Sequence, residues 1–474
     1  MKAISNPINA TYSQATNVIL HAFDWPYCRI KEQAASIADA GFKAVLISPP
    51  MKSLKSEDGT PWWQRYQPQD YRVIDNQLGN TLDFKAMIHA LSAENIHVYV
   101  DVVFNHMANE EEINEALIYP NTDVLADYKK NKAHYQDLVL FGDLGQPLFT
   151  DKDFVLAFPI KDWTDPWEVQ HGRISNGDRD PGLPTLKYTD KVVEAQKQYL
   201  KALKQLGVKG FRIDAAKHMT LEHLHQVWDD EISSETHVFG EIITDGGATK
   251  EEYELFLQPY LANTYLGAYD FPLFHTLKNT LSEPDSTMAS LINPYSLGSA
   301  LAHDRAITFA ITHDIPNNDV FLDQVMPEHI ECLAYCYILG RDGGVPLIYS
   351  DLDTSGITDK SGKPRWLDCW KNPTLQQMIR FHNLMHGKPM ALVHQTEDVL
   401  VFSRGANEGM VAINKGQQAV EICLNAEVST DMTTEILQQE GVSFDATHQH
   451  LTLAKHSCAM LLCLNLKPKD VNPH

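Results

Sequence analysis

Residues 191–215 read KVVEAQKQYLKALKQLGVKGFRIDA. The stretch KVVEAQKQYLKALKQL repeats its apolar positions every 3.6 residues, which predicts a helix with one buried face. Gly207 stops that helix, and KGFRIDA (209–215) follows as a short strand. The same alternation runs outward in both directions. Upstream stand NVILHAF (17–23), the helix-like EQAASIADA, Gly41 and KAVLISPP (43–50), then DFKAMIHALSAE (83–94) and HVYVDVVF (97–104). Downstream stand LEHLHQVWDDEI, HVFGEII (237–243), YDFPLF (269–274) as a sixth strand, AITFAITHD (306–314) and VPLIYSD (345–351). Near-continuous apolar strands separated by amphipathic helices require a parallel sheet covered on both faces. Eight such units over about 350 residues point to a closed (β/α)₈ TIM barrel. No GxGxxG follows a strand and no GxxxxGK[ST] occurs, which argues against a doubly wound nucleotide-binding sheet.

Two segments break the alternation. Residues 107–187 are aromatic and rich in Asp and Pro, too long for an ordinary loop, and read as an inserted subdomain. From 389 onward short alternating runs take over: DVLVFSRG, GMVAIN, QAVEICLN, TTEILQQ and LTLAKHSCAMLLCLN. The expected organisation is therefore a barrel over 1–106 and 188–388, an insertion over 107–187, and a C-terminal antiparallel β-sandwich over 389–474.

At 474 residues the chain exceeds one hydrophobic core, and its 43% hydrophobic and 21% charged composition is that of a globular protein. With 62 acidic against 39 basic residues, the net charge of −23 disfavours nucleic acid as a partner. No apolar run is long enough to span a membrane. Seven dispersed cysteines read as mostly buried thiols in a reducing compartment. The opening MKAISNPINATYSQAT has no apolar core of signal-peptide length, so the expectation is a cytoplasmic monomer, or a secreted one if a leader was removed.

In a barrel the chemistry sits at the carboxyl ends of the strands, and polar residues cluster there. The third strand ends in Asp101, Asn105 and His106, the fourth in Arg212 and Asp214, the fifth in Glu241, and the seventh in His313 and Asp314. Arg212 and Asp214 are two apart on a strand and share a face. The guanidinium is expected to lower the pKa of Asp214, as a nucleophile needs, while Glu241, facing that negative charge, is pushed upward and stays protonated. One ionised and one protonated carboxyl form the retaining glycosidase pair, roughly 5–5.5 Å apart.

DVVFNH (101–106), GFRIDAAKH (210–218), GEII (240–243) and ITHD (311–314) resemble, in order, the four signature regions of the α-amylase family, glycoside hydrolase family 13. PWWQRYQPQDY (61–71) and AVLISPP (44–50) are also similar to its members. The resemblance implies retaining endo-hydrolysis of α-1,4-glucosidic bonds in starch, glycogen or maltodextrins. It makes Asp214 the nucleophile, Glu241 the acid/base and Asp314 the transition-state stabiliser. His106, Arg212 and His313 would hold the attacked glucose, with Lys217 and His218 on the leaving-group side. Tyr66 would stack on the distorted sugar, with Trp62 and Trp63 further out. A 4-α-glucanotransferase or transglycosylating member fits the same motifs. A non-catalytic glucan-binding barrel fits poorly, since all three carboxylates are intact.

The resemblance leaves calcium open. Asn105 and His218 stand at two ligand positions of the family, but Thr185 stands where an Asp is expected, with Asp178 or Asp180 in SNGDRDPG as substitutes. Chloride is not expected: Thr312 replaces the Asn of chloride-activated relatives, and no basic residue lies near Pro346. No organic cofactor is implied.

Overall fold

The computed structural model describes residues 17–55, 59–110, 113, 116–175, 180–244, 252–296, 298–424, 432–437 and 441–463. Eight strands close into a barrel: β1 (Ile19–Ala22), β2 (Ala44–Ile47), β3 (His97–Val103), β4 (Val208–Asp214), β5 (His237–Gly240), β6 (Gly267–Tyr269), β7 (Ala306–Phe309) and β8 (Val345–Ser350). Around the barrel the order is β1-β8-β7-β6-β5-β4-β3-β2, so each strand lies beside its neighbours in sequence. The pairs β2–β3, β3–β4, β4–β5, β5–β6 and β7–β8 run parallel. Every residue of β1, β2 and β8 is buried. Strands covered on both faces carry no polar alternation, which is why they read as continuous apolar runs.

The connecting helices follow their sequence signals. They include α1 (Tyr27–Asp39), α2 (Thr81–Ala93), α3 (Asp190–Leu206), α4 (Leu221–Val227), α5 (Phe271–Ser282), α6 (Glu328–Gly340) and α7 (Pro373–Met385). In α3 the Thr189 side chain accepts from the Val192 N–H. Its stripe of Val192, Val193, Tyr199, Leu200 and Leu203 is buried, and Gly207 ends it at φ 108°, a left-handed position that glycine adopts without steric cost.

The sixth strand departs from expectation. It is GAY (267–269), and most of the run assigned to it belongs to α5. The Asp270 carboxylate accepts from Leu273 N at 3.0 Å, and Pro272 occupies the first turn. An Asp cap followed by a proline starts a helix more strongly than an aromatic run holds a strand.

The chain forms two compact units. The first comprises His21–Ala38 and Ala44–Tyr269; the second comprises residues 17–20, Asp39–Lys43 and 270–463. In the first unit the path between β3 and α3 carries three short helices, Thr122–Lys130, Lys132–Gln136 and Pro166–His171, joined by irregular chain. Ile118–Tyr119 pairs antiparallel with Phe149–Thr150, and a small core gathers Val73, Tyr128, Tyr135 and Leu138. Single bridges, His106 with Thr185 and Phe154 with Leu186, bring the returning chain back to the end of β3.

The second unit carries the C-terminal sheets. Strands β9 (Met390–Gln395), β10 (Val399–Arg404), β11 (Gly409–Asn414), β12 (Val420–Cys423), β13 (Met432–Leu437), β14 (Ser443–Asp445), β15 (His450–Leu453) and β16 (Ser457–Cys463) form a five-stranded sheet, β9-β10-β11-β16-β13, and a three-stranded sheet, β12-β15-β14. Strands β9 and β14 have no counterpart in the sequence reading. The run LTLAKHSCAMLLCLN splits into β15 and β16 at a turn where His456 takes φ 48°. Val401, Met410, Leu451, Leu453, Ala459 and Leu461 fill the core of these sheets. Arg404 is buried and donates to the carbonyls of Arg341 (2.6 Å), Met385 (2.8 Å) and Lys388 (2.7 Å) and to that of Gly340. It thereby satisfies carbonyls that α6 and α7 leave unpaired at their ends.

The cysteines are less buried than expected: Cys336 and Cys458 are enclosed, but Cys28 and Cys423 are exposed. Among the described residues no helix is long and apolar enough to cross a membrane.

Candidate active site

Parallel register assembles the site. β4 sits between β3 and β5, with Arg212 level with Asp101 on one side and Phe239 on the other. Arg212 and Asp214 point to the same face, and Glu241 follows β5 with its N–H on the Ile213 carbonyl at 2.9 Å. Residues 111 positions apart in sequence thus become neighbours.

The centre is one guanidinium among three carboxyls. Arg212 Nη1 donates to Asp101 Oδ2 at 2.6 Å and to Asp214 Oδ1 at 2.9 Å, and its Nη2 donates to Glu241 Oε1. Glu241 Oε2 accepts from the Ala215 N–H at 3.0 Å. Ala215 takes φ 49° and ψ 36°, a left-handed conformation that costs a residue with a Cβ about 1–2 kcal/mol. That turn aims the N–H after the Asp214 carboxyl at Glu241, so the strain is stored where these two carboxyls are fixed.

Arg212, Asp101, Asp214 and Glu241 are all buried. Burial pushes the Asp214 carboxyl up to about 7, against the pull of Arg212 and with Glu241 adding to the rise. This reverses the sequence expectation of a lowered value. A lone Asp–Arg pair would lower it, but here one positive charge is divided among three carboxyls in a site shielded from water. Burial raises Asp101 well above the carboxylate range for the same reason.

Tyr66, on the turn Trp62–Tyr66, donates its hydroxyl to Asp101 Oδ2 at 2.9 Å, and its ring centroid lies 5.9 Å from the Arg212 guanidinium carbon. Trp62 meets Tyr66 edge-on at 5.9 Å, and Trp63 is 40% exposed. His106 is buried, and its Nε2 hydrogen-bonds the Tyr66 carbonyl at 3.0 Å, which fixes the proton on Nε2 because a carbonyl only accepts. Burial lowers His106 and His218 to about 4, so both are neutral near pH 7.

Lys217 and His218 lie on the turn after Asp214. Lys217 Nζ pairs with Glu252 at 2.7 Å and stands 5.0 Å from the centroid of the Phe256 ring. His218 Nδ1 donates to the Val169 carbonyl at 2.9 Å. Trp163, 46% exposed, meets His218 edge-on at 5.8 Å. His313 and Asp314 belong to the second unit. There His313 Nε2 lies 3.4 Å from Asp314 Oδ2, Asn318 donates to Asp314 Oδ1 at 3.3 Å, and Asn317 donates to the His313 carbonyl at 2.7 Å.

Asp101 was read from sequence only as a polar strand end, without a role, and Trp163 and Glu252 were not singled out. Trp163 lies in irregular backbone, whereas Glu252 starts a helical stretch whose spacing of Phe256, Leu257 and Tyr260 could have placed it.

The calcium candidates are not gathered. Asn105 Nδ2 and His106 Nδ1 are 3.4 Å apart, while the Asp180 carboxylate accepts from Asn109 Nδ2 at 2.5 Å and Gly182 N at 2.9 Å. Asp178 lies outside the described residues. Among the described residues no group of three His, Cys, Asp or Glu side chains could hold a metal ion.

The sequence model of the α-amylase catalytic domain matches residues 30–314. The chain belongs to the α-amylase family, glycoside hydrolase family 13. It is 48% identical over 413 residues to the α-amylase of Aeromonas hydrophila, covering 87% of each chain. It is 28% identical over 440 residues to the α-amylase of Thermomonospora curvata, covering 86% of this chain and 66% of that one. The crystal structure of α-amylase I from Eisenia fetida matches 94% of this chain and 97% of its own with a TM-score of 0.72 at 20% identity, a likeness of fold. As an α-amylase-family member the chain is a glycoside hydrolase of the α-amylase type.

Within that family the shared guanidinium leads to a pH prediction. Burial holds the Asp101 carboxyl well above the usual range, so it keeps its proton through the acid limb and Asp101→Asn takes no negative charge from the cluster. The acid limb of the kcat/KM profile is expected to keep its position. A limb that moves down by about one pH unit would mean that Asp101 is ionised beside Asp214.

Proposed function

We propose that the chain hydrolyses internal α-1,4-glucosidic bonds of starch, glycogen or maltodextrins with retention of configuration. The observation that supports this is the Arg212 fork, with one nitrogen on Asp214 and the other on Glu241. One guanidinium holding both carboxyls keeps them close, which favours the retaining pair at roughly 5–5.5 Å over an inverting pair at roughly 6.5–9.5 Å with a water between.

In this reading Glu241 protonates the glycosidic oxygen while Asp214 attacks the anomeric carbon. Glu241 then takes a proton from the water that releases the sugar. The three buried carboxyls around Arg212 keep at least one proton between them near neutrality. With that proton on Glu241, Asp214 is ionised and the pair is ready to react. Asp314 acts as the third carboxylate, gripping sugar hydroxyls, with His106, Arg212 and His313 around the attacked glucose. Tyr66, pinned through its hydroxyl, offers a ring to that sugar, and Trp62 and Trp63 extend the aromatic surface outward. Lys217 and His218, joined by Trp163, hold the leaving portion.

A fresh maltoheptaose digest followed by proton NMR and chromatography tests this. The α-anomer is expected first, with products shorter than the substrate. Initial β-anomer would refute retention, and products longer than maltoheptaose would replace hydrolysis by glucan transfer.

A further inference from the structure

The junction between the inserted segment and the end of β3 has the wrong chemistry for a hard cation. Asn105 and His218 both line a cavity of about 60 Å³, together with Gln170 and Lys187. Among the described residues no carboxylate lines it, Asp180 included. Calcium takes six to eight oxygen ligands, several of them anionic.

What occupies the junction instead is a hydrogen-bonded seam. Thr185 is 2% exposed, and its hydroxyl donates to the Gly172 carbonyl at 2.9 Å. Its own carbonyl accepts from Val155 N at 2.9 Å. The Asn105 carbonyl accepts from Leu186 N at 2.9 Å, and the Pro184 carbonyl accepts from Met107 N at 3.1 Å. The His218 ring is turned onto the Val169 carbonyl. The backbone carbonyls of Asn105, Val169, Gly172, Pro184 and Thr185 therefore each already accept a hydrogen bond from a protein donor. A hydroxyl at position 185 supplies a proton, whereas a ligand there must supply a lone pair.

We propose that the Thr185 hydroxyl locks the inserted segment to the end of β3 in place of a divalent cation, so that no calcium is needed at this junction for the fold. The lock works because Thr185 and Gly172 are 13 residues apart within the returning segment, and the residues flanking Thr185, Pro184 and Leu186, are tied by backbone bonds to Met107 and Asn105 just past β3. Removing the hydroxyl leaves a carbonyl facing a methyl group in a buried place, and a buried polar group without a partner destabilises.

Thermal unfolding of the full chain separates the two ways of closing this seam. A cation that binds only the folded state raises Tm in proportion to the logarithm of its concentration. The apparent Tm in EDTA and in millimolar calcium chloride is expected to agree within about 1 °C. Thr185→Val, which keeps the shape and loses the proton, is expected to melt several degrees lower, and Thr185→Ser to recover most of the loss. None of the three proteins should respond to calcium. A wild-type Tm that falls by several degrees in EDTA and returns with calcium would overturn the proposal. So would a Thr185→Val protein that melts with the wild type. Neither result bears on the carboxyls, so this inference and the catalytic reading fail separately.

Discussion

Replacing Asp214 by Asn is expected to lower kcat on maltooligosaccharides by at least about 10⁴-fold while making the protein more stable at alkaline pH. An amide cannot attack the anomeric carbon, which accounts for the loss. The gain follows from what surrounds the residue. Burial moves the Asp214 carboxyl from 3.8 to about 7, even with Arg212 pulling the other way. Between those two values the folded protein holds a proton that the unfolded chain releases. The contribution of this group to stability is therefore fully present below the lower value and is lost as pH rises through the upper one. Asn has no charge to bury. The difference in Tm between variant and wild type should be small at about pH 4 and grow in favour of the variant towards about pH 8. Melting curves at the two pH values read this directly. A variant less stable than wild type at the higher pH would mean that the Arg212–Asp214 attraction outweighs burial.

Glu241→Gln is expected to lower kcat/KM on the same substrates by about 10³-fold, and by much less on an aryl glycoside. A phenolate departs without being protonated, so the acid is dispensable for that bond alone. The comparison between substrates matters because Gln also disturbs the geometry. Both Glu241 oxygens accept hydrogen bonds, one from Arg212 and one from the Ala215 N–H, and an amide NH₂ must face one of these donors. Geometric damage would slow both substrates alike, while loss of acid catalysis slows only the one with the poor leaving group. Equal losses would remove Glu241 from the acid role.

The barrel was legible in the sequence because strands buried on both faces stay apolar, and because signals such as Gly207 punctuate the helices. The Arg212–Asp214 contact was legible for a similarly local reason: the two share a strand face at a spacing of two. The sign of the Asp214 shift was not. It depends first on how deeply the folded barrel buries the carboxyl and then on Glu241, which reaches the same guanidinium only through the fold. The sixth strand was misplaced because DFPLF is apolar enough for either element and its N-cap Asp decides the outcome. Trp163 and the Thr185 seam lie in irregular backbone, where position is set by tertiary hydrogen bonds that leave no period in the sequence.

The account stands or falls on Asp214 forming a bond to sugar while Glu241 manages the proton. The Glu241→Gln protein incubated with α-maltosyl fluoride tests it most directly, because fluoride leaves without an acid and the base that would release the sugar is missing. Intact mass should rise by one maltosyl unit, and proteolysis should place the added mass on the peptide containing Asp214. An unmodified protein that still consumes the fluoride, or a sugar attached to any other residue, would contradict the assignment.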